Sequence, residues 1–244
     1  MCIKPGAVHS GAQLSCLVNP RTGHETELAS TPDPHGERIC VLGAGPAGLS
    51  YASLVADDND VTVLEQRAEP GGAFRYTGKA PRFNDVDAAE PTFAAYVTEL
   101  ERACRQRGVR FCYRADTTAI QQNLAGADRV VIATGAAYRF GLGRIVPALL
   151  ESGLLRTVPG RRLFRSARFR DWLYYRARIP TGHRVARQLG LAPDAVTVIG
   201  DAASAGKAAR AISQAFHAAL QPVEPTAATS LTTTVSSADP REQT

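Results

Sequence analysis

The stretch Val41-Leu42-Gly43-Ala44-Gly45-Pro46-Ala47-Gly48 restricts the fold more than any other. Three glycines spaced Gly-x-Gly-x-x-Gly follow a short apolar run, Arg38 to Leu42, and open a segment of helical composition, Ala47 to Ala56. A strand, a tight turn and a helix satisfy that pattern. Gly43 permits the turn, Gly45 lets backbone approach a diphosphate, and Gly48 lets helix and strand pack closely. The helix start, with Pro46 and Ala47, then offers unpaired amides and the positive end of a dipole to phosphates. Glu65 ends a second apolar run, Val61 to Glu65, seventeen residues after Gly48. A carboxylate there accepts hydrogen bonds from ribose hydroxyls and repels a 2′-phosphate, so NADP is not expected in this turn. The turn by itself does not distinguish NAD from FAD.

The remaining pattern alternates. Thr92 to Gln106 has helical spacing, with Phe93, Tyr96, Val97, Leu100 and Cys104 on one face. Val109 to Tyr113, Arg129 to Ala133 and Val196 to Ile199 read as buried strands, and Gly206 to Leu220 as a helix. Alternating strands and helices predict an α/β fold, a Rossmann-like domain with a parallel sheet. The expected division is an extended entry segment at 1–34 and the first part of the domain at 35–140. A mostly helical, arginine-rich insertion follows at 141–190, then a return strand and helix at 191–222. The tail, 223–244, is Thr, Ser, Ala and Pro with few bulky apolar groups, and disorder is expected there.

Two later segments carry more chemistry. Val130-Val131-Ile132-Ala133-Thr134-Gly135 is an apolar strand ending in Ala-Thr-Gly, and Thr197-Val198-Ile199-Gly200-Asp201-Ala202 one ending in Gly-Asp. Both resemble the FAD signatures of the two-dinucleotide flavoprotein reductases. The resemblance implies FAD, with Asp201, after Gly200, on the ribityl hydroxyls, Ala133, Thr134 and Gly135 beside the cofactor, and Thr117 near the adenine. Cys2-Ile3, Ser15-Cys16-Leu17-Val18-Asn19-Pro20 and Pro70-Gly71-Gly72-Ala73-Phe74 narrow it to the 2,4-dienoyl-CoA reductase and trimethylamine dehydrogenase family, although Ala73 replaces a usual Gln. Members carry an FMN barrel, a four-cysteine iron–sulfur site and an FAD or ADP domain. By resemblance Cys2 and Cys16 are the third and fourth cysteines, with the first two upstream of Met1. A four-iron cluster needs four thiolates, so no metal site is expected in this chain alone. The interval from Gly135 to Asp201 is also too short for the second Rossmann unit with which the family docks NAD(P)H.

Between Gly141 and Gly190 stand eleven Arg, no Lys and two acids, a local balance of +9; the whole chain is +5, so the rest is −4. Arg161 to Arg187 interleaves arginines with Leu163, Phe164, Phe169, Trp172, Leu173, Tyr174 and Tyr175. The plainest reading packs the aromatics inward and leaves the arginines in water. Docking of an acidic partner is the next, and peripheral membrane contact through 161–187 a less favoured third. No nucleic-acid motif accompanies the charge, so no nucleic-acid partner is expected. No run approaches the roughly 18 apolar residues of a membrane-spanning helix and no signal-peptide pattern opens the chain, so a cytoplasmic location is expected. The function expected is an FAD-dependent oxidoreductase module relaying electrons, which come either from a partner, for which the resemblance suggests an FMN and iron–sulfur chain, or from NAD(P)H bound in an unfamiliar way. The alternative is a non-catalytic ADP- or FAD-binding module that docks a partner. No catalytic acid or base is identified. Met1 as an internal start within a longer enzyme is a third reading.

Overall fold

The computed structural model describes residues 35–77, 79, 90–139 and 142–220, with Cys16, 19–22 and Glu25 from the entry segment. Cys2, most of the entry segment and the tail from 221 onward lie outside the described residues.

Five strands form one parallel sheet: β1 (Arg38–Leu42), β2 (Asp60–Glu65), β3 (Arg110–Tyr113), β4 (Arg129–Ile132) and β7 (Val196–Val198). Their spatial order is β3-β2-β1-β4-β7. Two further strands, β5 (Ala136–Tyr138) and β6 (Arg178–Pro180), pair antiparallel as a separate ribbon. The central strands are buried on both faces, which a parallel sheet covered by helices requires. Alternation splits each strand between two cores. Ile39, Val41, Val61, Val63 and Val131 pack under α1 (Pro46–Val55), α2 (Glu90–Gln106) and α8 (Ala208–Leu220). Cys40, Leu42, Leu64, Val130 and Ile132 pack under α3 (Thr117–Leu124) and α7 (Gly182–Gln188).

Residues 142–176 carry three helices, α4 (Leu142–Glu151), α5 (Val158–Arg165) and α6 (Ala167–Asp171), and then a π-helical turn over Trp172–Arg176. They enclose a small core of Val146, Leu150, Phe164 and Leu173, bordered by Tyr76, Tyr138, Leu155 and Phe169. Arg170 is buried inside this unit and donates to the carbonyls of Phe164 (2.6 Å) and Arg165 (3.1 Å), closing the C-terminal end of α5. The predicted elements therefore recur within a few residues of their expected bounds. The helix α3 and the β5–β6 ribbon are additions to them: each is short, and three residues are too few to establish a period.

Candidate functional site at the carboxyl edge of the sheet

β1 and β4 are neighbours whose connections leave the sheet in opposite directions, the place where an open α/β sheet forms its ligand crevice. The glycine turn lies there. Gly43 follows β1 at φ +111°, and a Cβ on it would stand 2.5 Å from the carbonyl oxygen of Ala133. A Cβ on Gly48 would overlap the carbonyl oxygen of Gly43 and come 3.2 Å from the Ala133 side chain. These two glycines thus serve the packing of β1, α1 and β4. Gly45 differs: the nearest atom to its Cβ position is the Gly72 Cα, 3.9 Å away.

Gly45 is also the N-cap of α1, with Pro46 in the first turn. No side chain caps this end and no acidic residue stands in the first turn. The Leu49 amide is the first to bond within the helix, to Gly45 O at 2.9 Å, so the amides of Ala47 and Gly48 have no intrahelical acceptor. Such an end attracts anions.

The loop after β2 lies over the turn. The Gly71 amide donates to Ala44 O (2.8 Å), and Gly72, at φ +50°, brings its Cβ position within 3.1 Å of the Gly45 Cα. Phe74 anchors the loop edge-on to Phe93 (centroids 5.5 Å apart) and against Tyr96 (5.9 Å) on α2. Glu65, at the end of β2, is buried. Its Oε2 accepts from the Ala44 amide (2.9 Å) and its Oε1 from the Arg67 amide (3.0 Å), so the carboxylate braces the glycine turn from the side. Carboxylate oxygens have further lone pairs, so these bonds leave acceptor capacity for a hydroxyl. Thr117 is exposed at the start of α3, one strand further out, where the Ala115 amide bonds to Glu65 O (3.0 Å).

On the other side of the switch point, Gly200 at φ +66° lets β7 approach α1: its Cβ position is 2.8 Å from the Ala47 side chain. The turn regions at Gly43 to Gly48, Ala133 and Gly200 are thus in mutual contact, with Glu65 and Gly72 adjoining. Asp201 follows at once, but its carboxylate is engaged within the chain. Oδ2 meets Arg178 Nη1 at 2.5 Å, and Oδ1 accepts from the Gly206 amide at 2.9 Å. Arg178 also donates to Gly206 O (3.0 Å). Thr134 and Gly135 are held in the same way. Thr181 donates to Gly135 O (2.6 Å), and its hydroxyl lies 2.8 Å from that of Thr134. Sequence reasoning had no means of finding Arg178 or Thr181, since nothing in their spacing separates Arg178 from the ten other arginines of the insertion.

Two of the thiols, those of Cys40 and Cys104, are buried in the cores. Burial pushes Cys40 and Cys104 up to about 12, far above the range in which a thiolate forms at neutral pH.

The NAD(P)-binding Rossmann-like domain family matches residues 41–106. A metal reductase of Desulforamulus reducens is 38% identical over 130 residues, covering 50% of this chain and 18% of its own. A probable N-methylproline demethylase of Rhizobium meliloti is 31% identical over 52% of this chain and 18% of its own. A cinnamate reductase of Clostridium sporogenes is 30% identical over 55% and 19%. The chain thus matches under a fifth of the length of these curated relatives. Among solved structures, that of a 2-naphthoyl-CoA reductase in complex with 2-naphthoyl-CoA superposes with a TM-score of 0.58 over 86% of this chain and 44% of that one, at 18% identity, a likeness of fold.

Proposed function

We propose, given that this chain carries a Rossmann-like dinucleotide-binding domain whose relatives are reductases of the 2,4-dienoyl-CoA reductase/trimethylamine dehydrogenase-like family, that it is an FAD-binding oxidoreductase module relaying electrons with a partner chain. One observation carries the reading. An uncapped helix start, a turn with no Cβ at Gly45 and a buried carboxylate at Glu65 meet at one switch point of the sheet. In this reading the amides of Ala47 and Gly48 and the open face of Gly45 hold the diphosphate, with Gly72 opposite. Glu65 accepts from the adenosine ribose, Thr117 flanks the adenine, and Ala133, Thr134, Gly135, Gly200 and Asp201 line the flavin half. Bound FAD supplies the redox chemistry through its isoalloxazine ring. The chain's own residues bind it, orient it and set the surrounding charge.

The residues suit the adenosine-diphosphate half: Gly45 carries no Cβ where backbone must approach phosphate, and Gly72 lets the loop after β2 pack close against that turn. The test is to purify the chain in the presence of FAD, record the visible spectrum, and add NADH or NADPH anaerobically. A flavin spectrum that bleaches on reduction and returns with an acceptor supports the electron-relay reading. Bound ADP, or FAD that does not cycle, supports a second reading, a non-catalytic nucleotide-binding module that docks a partner. Two observations favour that alternative. Asp201 is already engaged. Every exposed large hydrophobic among the described residues (Ile145, Leu149, Leu154, Val158, Leu163, Trp172 and Ile179) also lies in the arginine-rich segment. In either reading that segment is the docking face, and an acidic partner surface is its electrostatic complement.

A further inference from the structure

Asp201 is the residue on which the flavin half of the proposed cofactor depends, and both its carboxylate oxygens are bonded within the chain. The Arg178–Asp201 pair is largely withdrawn from solvent, with side-chain exposures of 12% and 17%. Arg178 makes a second bond to Gly206 O, and Gly206 in turn donates to the other Asp201 oxygen, so three groups close a ring. The backbone supports it from the insertion side. β6, which carries Arg178, pairs with β5 immediately after Gly135, and Thr181 clamps Thr134 and Gly135. A ribityl chain reaching Asp201 would have to take the place of a charge-assisted, partly buried bond, which a neutral hydroxyl does not match. None of these contacts touches the turn at Gly45 or the carboxylate of Glu65.

We propose that Arg178 is a specificity-determining residue that competes with the ribityl chain for Asp201. The adenosine-diphosphate half is then bound alike in ADP and FAD, and the flavin half gains nothing until Arg178 is displaced. The inference rests on the nucleotide-binding reading given above and deepens it.

Titration calorimetry of the full chain with ADP and with FAD tests it, in the wild type and in Arg178→Leu. The wild type binds the two nucleotides with dissociation constants within about threefold of each other. Arg178→Leu tightens FAD at least tenfold and leaves ADP within about threefold. Wild-type FAD binding tenfold or more tighter than ADP overturns the proposal, as does a variant that weakens FAD or leaves the ratio unchanged. Binding of neither nucleotide defeats the nucleotide-binding reading itself, a separate outcome because it appears in the ADP arm. Should Arg178→Leu fail to fold, hydrogen exchange on the wild type decides. Both ligands slow exchange at Ala47 and Gly48, whereas FAD, and not ADP, speeds exchange of the Gly206 amide as its Asp201 partner is drawn away. Slower Gly206 exchange with FAD rejects the competition.

Discussion

At the scale of single residues, the glycine motif divides into two kinds of position. Gly43 and Gly48 have no room for a side chain because protein backbone and Ala133 fill the space; Gly45 has room. Gly48→Ala therefore destabilises the fold, by about 1–3 kcal/mol as overpacking does, readable as a lower midpoint in urea. Gly45→Val leaves the urea midpoint nearly unchanged and reduces nucleotide affinity at least tenfold; unchanged affinity would remove the diphosphate from this turn. A second residue-level expectation concerns acid. Arg38 grips Asp128 with two side-chain bonds and its backbone amide, and these hold the Asp128 carboxyl at about 2. A carboxyl lowered by folding stabilises the native state above its unfolded value near 4 and loses that contribution as pH falls toward 2. Asp128→Asn should lower the melting temperature near pH 7 and flatten its fall between pH 4 and pH 2, so that wild type and variant converge in acid; an unchanged melting temperature at pH 7 would mean that the pair adds nothing. The motif glycines and Glu65 were legible because their spacing encodes a mechanical requirement. Arg178 was not, because its role depends on a partner 23 positions away, brought there by a two-strand ribbon of three residues each.

At the scale of elements, burial explains which were readable. β1, β2 and β4 are continuous apolar runs, and α2 shows its inward stripe, with Val97 and Cys104 buried as the periodicity requires. Helix α3 was missed because it is short and half-exposed; its start is fixed by Asp116, whose side chain accepts from the Ala119 amide at 2.8 Å. The arginine-rich segment divides along a line that composition does not reveal. Arg170 and Arg178 point inward and are bonded, whereas Arg162, Arg165 and Arg168 are exposed. Arg170→Ala should loosen the α5–α6 unit by about 1–3 kcal/mol, since it strips two carbonyls of a charged donor. Proteolysis within 154–172 would then accelerate while the sheet stays intact. An unchanged cleavage rate would mean that the helix end is satisfied by other groups.

At the scale of the whole molecule, the parallel α/β architecture follows from the order of apolar runs, and the crevice follows from the strand order. Charge is distributed as unevenly as the sequence indicates, with the surplus in the segment that also shows its apolar side chains. Replacing Arg162, Arg165 and Arg168 together by Glu should cut association with an acidic partner at least tenfold at low salt and shrink its ionic-strength dependence, with nucleotide affinity preserved. Equal association of the triple variant would place the docking face elsewhere. Among the described residues, no helix is long and apolar enough to cross a membrane.

The packing of α8 on α1 has a consequence in time. Ala215 and Ala219 complete the core over a helix that ends at Val55, so some 165 residues separate the two halves of one interface. At roughly 5–20 residues per second, the ribosome leaves the α1 surface without its cover for roughly 10–30 s. During synthesis the nascent chain therefore exposes Leu49 and its neighbours to chaperones well before Leu220 emerges, and loss of α8 would make that exposure permanent.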